Sequence, residues 1–349
     1  MALAKKILPK CIVRLLEKVH FAYNKTYYKK KYYDPKINSN KSSILYDYIE
    51  KEHTKHFGSD FPDKIFYVIR RLPTGSGILS NYHWVLNNTV YALSKEYIPV
   101  VNMENYKTIY NNKNIPLGIQ GEGVDNAWEY YFEQPCGYSL NDIKTAYNIV
   151  LGDMNNYHYN EFIDPYRGEL NISKYLELAS QYCKFNLKTM EYTEEKKSIL
   201  FSNKKNILGV IYRGTEMVNA KYHSTPASIE QTLQKTVQVF EREKFDHIFL
   251  ATEDQNAVDE FYKVFSKEIL FVSESERIKH YDSKLSIIEI FQKESPDVYR
   301  NDLDYLSDAF LLSQCDGIIA SKNNRTMFAL GWNNNRYRYS YVFDLGINP

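Results

Sequence analysis

The chain has only four cysteines in 349 residues, at 11, 136, 183 and 315. None of these intervals has the close spacing of a zinc knuckle or a redox pair, and a disulfide framework does not suit a chain this long. They read as free thiols of a reducing compartment. Net charge is also nearly missing. Lys and Arg total 44 against 43 Asp and Glu, a balance of +1 that excludes a whole-molecule field for nucleic acid. No apolar run approaches the roughly 20 residues that span a bilayer. Lys10, Arg14, Glu17 and Lys18 interrupt the start of the chain, where a secretory signal needs an unbroken hydrophobic stretch. The protein is therefore expected inside the cell. No histidine cluster or compact carboxylate triad has metal-ligand spacing, so metal-independent chemistry is expected.

What is present is a globular composition, 44% apolar and 25% charged, with length enough for two cores. The 32 tyrosines suggest no function by themselves. Residues 1–33 hold nine Lys or Arg against one Glu, a local charge of +8, interleaved with Ile7, Leu8, Ile12, Val13, Leu15, Leu16, Val19 and Phe21. A helix through 11–23 would either lie on an anionic membrane surface or dock on the protein's own body. Residues 1–60 read as a basic N-terminal extension, 61–204 as an N-terminal domain, and 205–349 as a C-terminal domain with a tail.

In the first domain, a strand at Lys64–Arg70, helical spacing over 84–95 and a strand at Tyr97–Val101 make one βαβ unit. The intervening loop carries Gly75 and Gly77. A lone G-x-G lacks the third glycine and the later acid of a dinucleotide fingerprint, so it reads as a turn or close backbone approach near an interdomain cleft. Asp125–Glu133 mixes acids with Trp128, Tyr130, Tyr131 and Phe132, which would either stack on a sugar or pack in the core. Residues 141–205 look mainly helical, and Lys204-Lys205-Asn206 reads as a domain junction.

From Ile207 apolar strands alternate with helices, at 207–212, 226–243, 247–251, 256–265, 269–272, 303–314 and 316–320, which argues for a parallel sheet covered on both faces. In the 226–243 helix, Thr225 would be the cap and Pro226 the first residue. Two strands end in donor-rich loops. Leu208–Ile211 leads through Tyr212 to Arg213, Gly214, Thr215 and Glu216; the second apolar strand leads to Ser321, Asn323, Asn324 and Arg325. Such a pair suggests a diphosphate site. An arginine offers phosphate oxygens a rigid, permanently charged fork; its alternative role is an ion pair with Glu216. Glu216 would orient Arg213, contact an acceptor hydroxyl or simply begin a polar loop. His223 is a candidate acid–base near neutral pH, or an ordinary surface residue. Thr252 and Asp254, ending another strand, would either meet a ribose or cap the next helix.

The helix, strand and polar turn from Asp304 through Asp308 to Asn324, together with Gly209–Glu216 and His223, resemble the nucleotide-binding half of the superfamily of α1,6-fucosyltransferases, bacterial nodulation fucosyltransferases and protein O-fucosyltransferases. The resemblance runs through roughly 205–330, more weakly through 72–101. It implies that Arg213 grips the donor β-phosphate, that the 321–324 turn completes the phosphate site and that Asp308 recognises guanine. It departs at Ile211, where that family has a histidine, at Gly214 for its second arginine, at Asn324 for its serine, and around Lys221, where one branch has its proposed acid. The implied protein is an α/β, GT-B-like glycosyltransferase. Its two Rossmann-like domains would face an interdomain cleft, and it would move fucose or a related deoxysugar from a GDP-sugar to a glycan or lipid-linked oligosaccharide with inversion and without a cofactor. Glu216, Asp125 and Glu122 are its candidate bases. Surface polysaccharide assembly at the inner face of the plasma membrane would be the setting. Another nucleotide-activated sugar such as a heptose, or a noncatalytic carbohydrate-binding protein using Trp128, Tyr130 and Tyr131, are the alternatives.

Overall fold

The computed structural model describes residues 49–71, 77–103, 126–158, 171–214, 223–273, 275, 277–278 and 297–348. Within these, the chain builds two sheets. The first contains β1 (His53–Lys55), β2 (Asp60–Ile69), β3 (Ile98–Val101) and β4 (Ala146–Leu151) in the order β1-β4-β2-β3. Strand β2 is parallel to both β3 and β4, and β1 is antiparallel to β4. Helix α1 (Ile78–Ser94) links β2 to β3, giving the expected βαβ unit, although it begins well before 84. The expectation of a mainly helical 141–205 is corrected by β4, a central strand. It runs from buried Ala146 through exposed Tyr147 and half-buried Asn148 into the buried run Ile149–Leu151, too short a signal to stand out between the capped turn α2 (Leu140–Ile143) and the helices α3 (Ile172–Tyr182) and α4 (Leu187–Leu200).

The second sheet is wholly parallel, with β5 (Ile207–Ile211), β6 (His247–Ala251), β7 (Leu270–Val272), β8 (Gly317–Ser321) and β9 (Tyr339–Phe343) in the order β7-β6-β5-β8-β9. Alternate side chains on β5, β6 and β8 serve different cores. Leu208, Val210, Ile248, Leu250 and Ile319 pack with Val239 of α5 (Ile229–Glu243) and Phe261 of α6 (Gln255–Tyr262). Ile207, Ile211, Phe249, Ala251, Ile318 and Ala320 pack instead with Leu311 and Leu312 of α7 (Val298–Ser313) and Ala329 of α8 (Asn324–Asn333). Period-two side chains buried on both faces are what make these strands read as continuous apolar runs. The cap of α5 differs from expectation. Ser228, not Thr225, closes it in a capping box with Gln231, while Thr225 donates from its hydroxyl to Asn348 Oδ1 at 2.8 Å. Pro226 therefore precedes the cap rather than opening the helix.

A third core joins elements of both halves. Tyr82 and Val85 of α1 and Tyr175 and Leu178 of α3 meet Leu303 and Leu306 of α7 and Met327 and Phe328 of α8. Gly331 permits the approach of α3 to α8, because a Cβ there would stand 2.0 Å from the Tyr175 ring. Trp128, Tyr130, Tyr131 and Phe132 belong to the same core, each at most 2% exposed. This corrects both the sugar-stacking role and the carbohydrate-binding reading that depended on these rings. Trp128 stacks on Phe132 at 4.2 Å and Tyr131 on Tyr299 at 5.2 Å, so the rings are spent on packing.

Asp302 on α7 is buried beside Tyr131 in this joint, and burial pushes its carboxyl up to about 8, against a weaker lowering by the Tyr131 hydrogen bond. The unfolded chain releases this proton near pH 4. Stability is therefore lost as pH rises from about 4 to about 8, by at most about 1.4 kcal/mol per unit, and is level above that. Asp302→Asn is expected to melt higher than the parent, with a gain that grows over the same interval and then stops. A pH-independent difference in melting temperature would remove the buried acid as its cause.

Candidate functional site

The order of the second sheet, written by its own strands, is 3-2-1-4-5. The chain steps outward from β5 to β7, then returns to place β8 on the other side of β5. The helix following β5 lies on one face and the helix following β8 on the other. Such a switch point is where an open parallel sheet leaves a crevice at the carboxyl ends of its strands. The two donor-rich loops predicted from the sequence emerge there.

Arg213 stands two residues beyond β5, half-buried, and Nη1 donates to the Tyr305 hydroxyl at 3.2 Å. The ring of Tyr305 lies over the Arg325 guanidinium, 3.7 Å from its centroid. Arg325 is 3% exposed and forms an ion pair with Glu253, immediately beyond β6. Glu253 is in turn held by its backbone, whose carbonyl accepts from Ile278 N at 2.8 Å. The result is a relay across three strand ends, Arg213 to Tyr305 to Arg325 to Glu253. Arg325 thus has a largely structural engagement, whereas Arg213 stands at the more open end.

The turn after β8 is equally fixed. Asn323 caps α8, its side chain accepting from Thr326 N at 3.0 Å, and its Nδ2 donates back to the Ser321 carbonyl at 3.0 Å. The Ser321 hydroxyl accepts from Ala227 N at 3.0 Å, tying this turn to the segment before α5. The amides of Asn324 and Arg325 fall in the first turn of α8, where a helix leaves N–H groups without intrahelical acceptors and concentrates positive potential. Beside them, the fully buried His83 of α1 has the Asn324 side chain as a hydrogen-bond neighbour and meets the Tyr175 hydroxyl at 2.9 Å. Burial depresses its pKa to about 3, which keeps the ring neutral and suits a fixed link between α1 and the turn rather than proton transfer.

At the end of β7, Asp308 of α7 is 4% exposed. Its carboxylate accepts from the hydroxyls of Ser273 at 2.7 Å and Ser275 at 3.0 Å and pairs with Lys196 of α4 at 2.9 Å. Lys196 also reaches Asp304 at 2.8 Å. Thr252 and Asp254 fill the capping alternative. Asp254 N donates to the Thr252 hydroxyl at 3.1 Å, and the Asp254 carboxylate accepts from Asn256 N at 2.9 Å at the head of α6. Burial raises the Asp254 carboxyl above the usual range despite those backbone bonds.

His223 is exposed, and its carbonyl accepts from Asn348 N at 2.8 Å where the 223–225 segment is stitched to the chain's end. Gly77 precedes α1 with an ordinary φ of −67° and open space where a Cβ would be, so neither a tight turn nor a close approach demands glycine at this position. Gly75, Glu122, Asp125 and Glu216 lie outside the described residues. Among the described residues no group of three or more His, Cys, Asp and Glu is placed to hold a metal ion, and no helix is long and apolar enough to cross a membrane.

Tyr305, Glu253, His83 and Lys196 are site residues the sequence reading missed, since each acts through a partner far away in the chain. The expected effect of Tyr305→Phe isolates one link. It keeps the ring over Arg325 but removes the acceptor of Arg213, so nucleotide-diphosphate affinity should fall by about tenfold to a hundredfold, the net worth of one hydrogen bond to a charged group. Unchanged affinity by calorimetry would show that the hydroxyl does not position Arg213.

No family model matches this chain, and no curated protein matches it. Among solved structures it is similar to NodZ α-1,6-fucosyltransferase co-crystallised with GDP, at 12% identity over 76% of this chain and 91% of that one, with a TM-score of 0.45. NodZ from Bradyrhizobium without a named ligand gives 13% identity over 76% and 92%, with a TM-score of 0.42. POFUT1 in complex with GDP gives 12% identity over 80% and 98%, with a TM-score of 0.45. Likeness at these values assigns no residue a role. The α/β class and the doubly wound second sheet stand on the strand order itself.

Proposed function

We propose that the protein is an inverting glycosyltransferase that takes fucose or a related deoxysugar from a GDP-sugar and places it on a glycan hydroxyl. The observation that carries this reading is the placement of Arg213, linked through Tyr305 to Arg325 in the first turn of α8, at the switch point of a 3-2-1-4-5 parallel sheet. A diphosphate is the ligand class such a place suits, because a fixed cation and a helix N-terminus both favour anionic oxygens. The Thr252–Asp254 turn is near enough along the same row of strand ends to serve a ribose. Asp308 supports guanine as the base: a carboxylate is an acceptor, and guanine offers two neighbouring N–H donors on one edge. The Ser273 and Ser275 hydroxyls would turn aside to release Oδ2 to it.

In the reaction, the acceptor oxygen forms a bond to the donor's anomeric carbon while the bond from that carbon to the β-phosphate oxygen breaks. The electron pair stays on the leaving diphosphate, where Arg213 and the first-turn amides of α8 stabilise it more than they stabilise the bound donor. The hydroxyl proton passes to a carboxylate; Glu216, Asp125 and Glu122 are the candidates. The two halves would face one another as GT-B domains, with residues 61–204 forming the acceptor side. Incubation with GDP-fucose, GDP-heptose and UDP-sugars, each with a glycan panel, tests the reading. Release of GDP coupled to a glycoside of inverted configuration is expected, and turnover of uridine donors alone would reject the donor assignment.

The basic N-terminal segment would concentrate the enzyme at an anionic membrane surface carrying a lipid-linked acceptor, each near-surface cation contributing about 1 kcal/mol. Full-length protein should float with anionic liposomes at low salt, and a chain starting at Asp34 should not. Equal, negligible flotation of the two would end the membrane proposal alone.

A further inference from the structure

Beside the first sheet, a cavity of about 560 Å3 opens between the 129–139 segment and the end of α3. Its lining includes Glu129, Glu133, Gln134, Tyr138, Gln181 and Tyr182. The size falls within the range of about 300–1,000 Å3 that suits small ligands. It is a different place from the switch point. Phe132 and Phe185 pack against each other at 5.7 Å, and Phe185 stacks on Phe328 of α8 at 6.1 Å, so a wall of core rings stands between the cavity and α8.

The segment forming it has little regular structure yet is tied down at many points. The Gln134 amide acts as a missing strand for the edge of β3, accepting from Val101 N at 2.8 Å and donating to Val101 O at 3.0 Å. The same Nε2 donates to Glu129 Oε1 at 3.2 Å. Glu133 N donates to the Lys184 carbonyl at 3.0 Å, and the Trp128 indole N–H donates to the Glu133 carbonyl at 2.8 Å. Gly137 supplies a left-handed turn with φ of +75°. Tyr138 is held edge-on by Phe61 and Phe66 at 5.7 and 5.0 Å. The backbone that carries the lining is therefore fixed in advance; the Gln134 amide and Glu129 Oε1 are spent within it, which leaves the Glu133 carboxylate and the Gln181 amide to meet a ligand.

The chemistry of the lining selects a ligand. The carboxylates of Glu129 and Glu133 line the cavity with the ammonium of Lys184, and the Lys64 ammonium is bonded to the Tyr138 hydroxyl, so the charges balance and a neutral ligand is favoured over a polyanion. Hydroxyl groups both donate and accept and match carboxylates and amides, while tyrosine rings offer apolar flanks to the C–H faces of a sugar. We infer that this cavity is a binding site for a neutral oligosaccharide. Resting on the glycosyltransferase reading, its occupant would be the non-reacting sugar units of the acceptor, held apart from the leaving-group chemistry at Arg213.

The test uses the full chain with cellotetraose and maltotetraose as neutral probes and tetragalacturonate as an anionic contrast, followed by saturation-transfer NMR. A double variant, Glu133→Ala with Gln181→Ala, changes two exposed side chains and is checked for an unchanged melting temperature and unchanged GDP affinity. Saturable binding of at least one neutral tetrasaccharide, with tetragalacturonate weaker, is expected. The double variant should lower that affinity at least about tenfold, the loss of one to two hydrogen bonds, one of them to a charged group. Equal binding by parent and double variant, or preference for tetragalacturonate, would overturn the inference. GDP binding without binding of either neutral tetrasaccharide would also overturn it while leaving the transferase reading standing. Neutral-glycan binding lost in the double variant, in a protein that ignores GDP, would uphold the cavity and defeat the GDP-sugar donor reading.

Discussion

Arg213→Ala is expected to leave the fold intact and to reduce sugar transfer by at least about 10²-fold, the usual consequence of removing a donor that stabilises charge developing in the transition state. The fold should survive because Arg213 is half-buried beyond the end of β5, outside its strand pairings, with the Tyr305 hydroxyl accepting from its Nη1. Transfer should suffer because the charge it faces grows as the leaving diphosphate departs, so kcat should fall more than the affinity for intact donor. Arg213→Lys should recover only a part, since an ammonium cannot reproduce the two-pronged guanidinium geometry. Near-parental turnover of a folded alanine variant would make Arg213 a structural residue.

A different outcome is expected one link further along the relay. Arg325→Met removes the cation that accompanies Glu253, which is 8% exposed, and deprives the Tyr305 ring of its guanidinium neighbour. Stranding a buried carboxylate typically costs about 3–5 kcal/mol, so this variant should unfold at clearly lower denaturant. Combining it with Glu253→Gln should restore most of that loss, because the two changes together leave no uncompensated charge. The coupling between the two sites, read from the four-variant cycle, should therefore be large. Additive effects would mean that the pair does not act as a unit and that Arg325 contributes mainly through packing.

The contrast between Arg213 and Arg325 could not be read from the sequence, where both are arginines just beyond an apolar strand. Strand position was legible because period-two burial on both faces leaves unbroken apolar runs: His247–Ala251 has the expected bounds and Ile207–Ile211 is one residue shorter than expected. Strand β4 was not, because Asn148 interrupts the pattern of a six-residue strand. Helix α8 begins with Asn324 and Arg325 and contains a glycine, and it reads as a polar turn until the Asn323 cap and the Tyr175 contact at Gly331 are seen. The aromatic run from Trp128 to Phe132 has a composition equally suited to a sugar platform or a core; only the partners supplied by Tyr82, Phe185 and Tyr299 decide for the core. Tyr305 was obscured for the same reason. Its helical spacing gives no sign that its ring and hydroxyl meet two different arginines.

The measurement that bears most directly on the central claim is calorimetric titration of the full-length protein and its Arg213→Ala variant with GDP, UDP and CDP. The account predicts a single site that prefers GDP, with affinity weakened in the variant for every nucleotide while the order of preference is kept, because Arg213 meets the phosphates and Asp308 the base. A parent protein that binds UDP or CDP substantially better than GDP, or a variant that binds GDP as tightly as the parent, would contradict it.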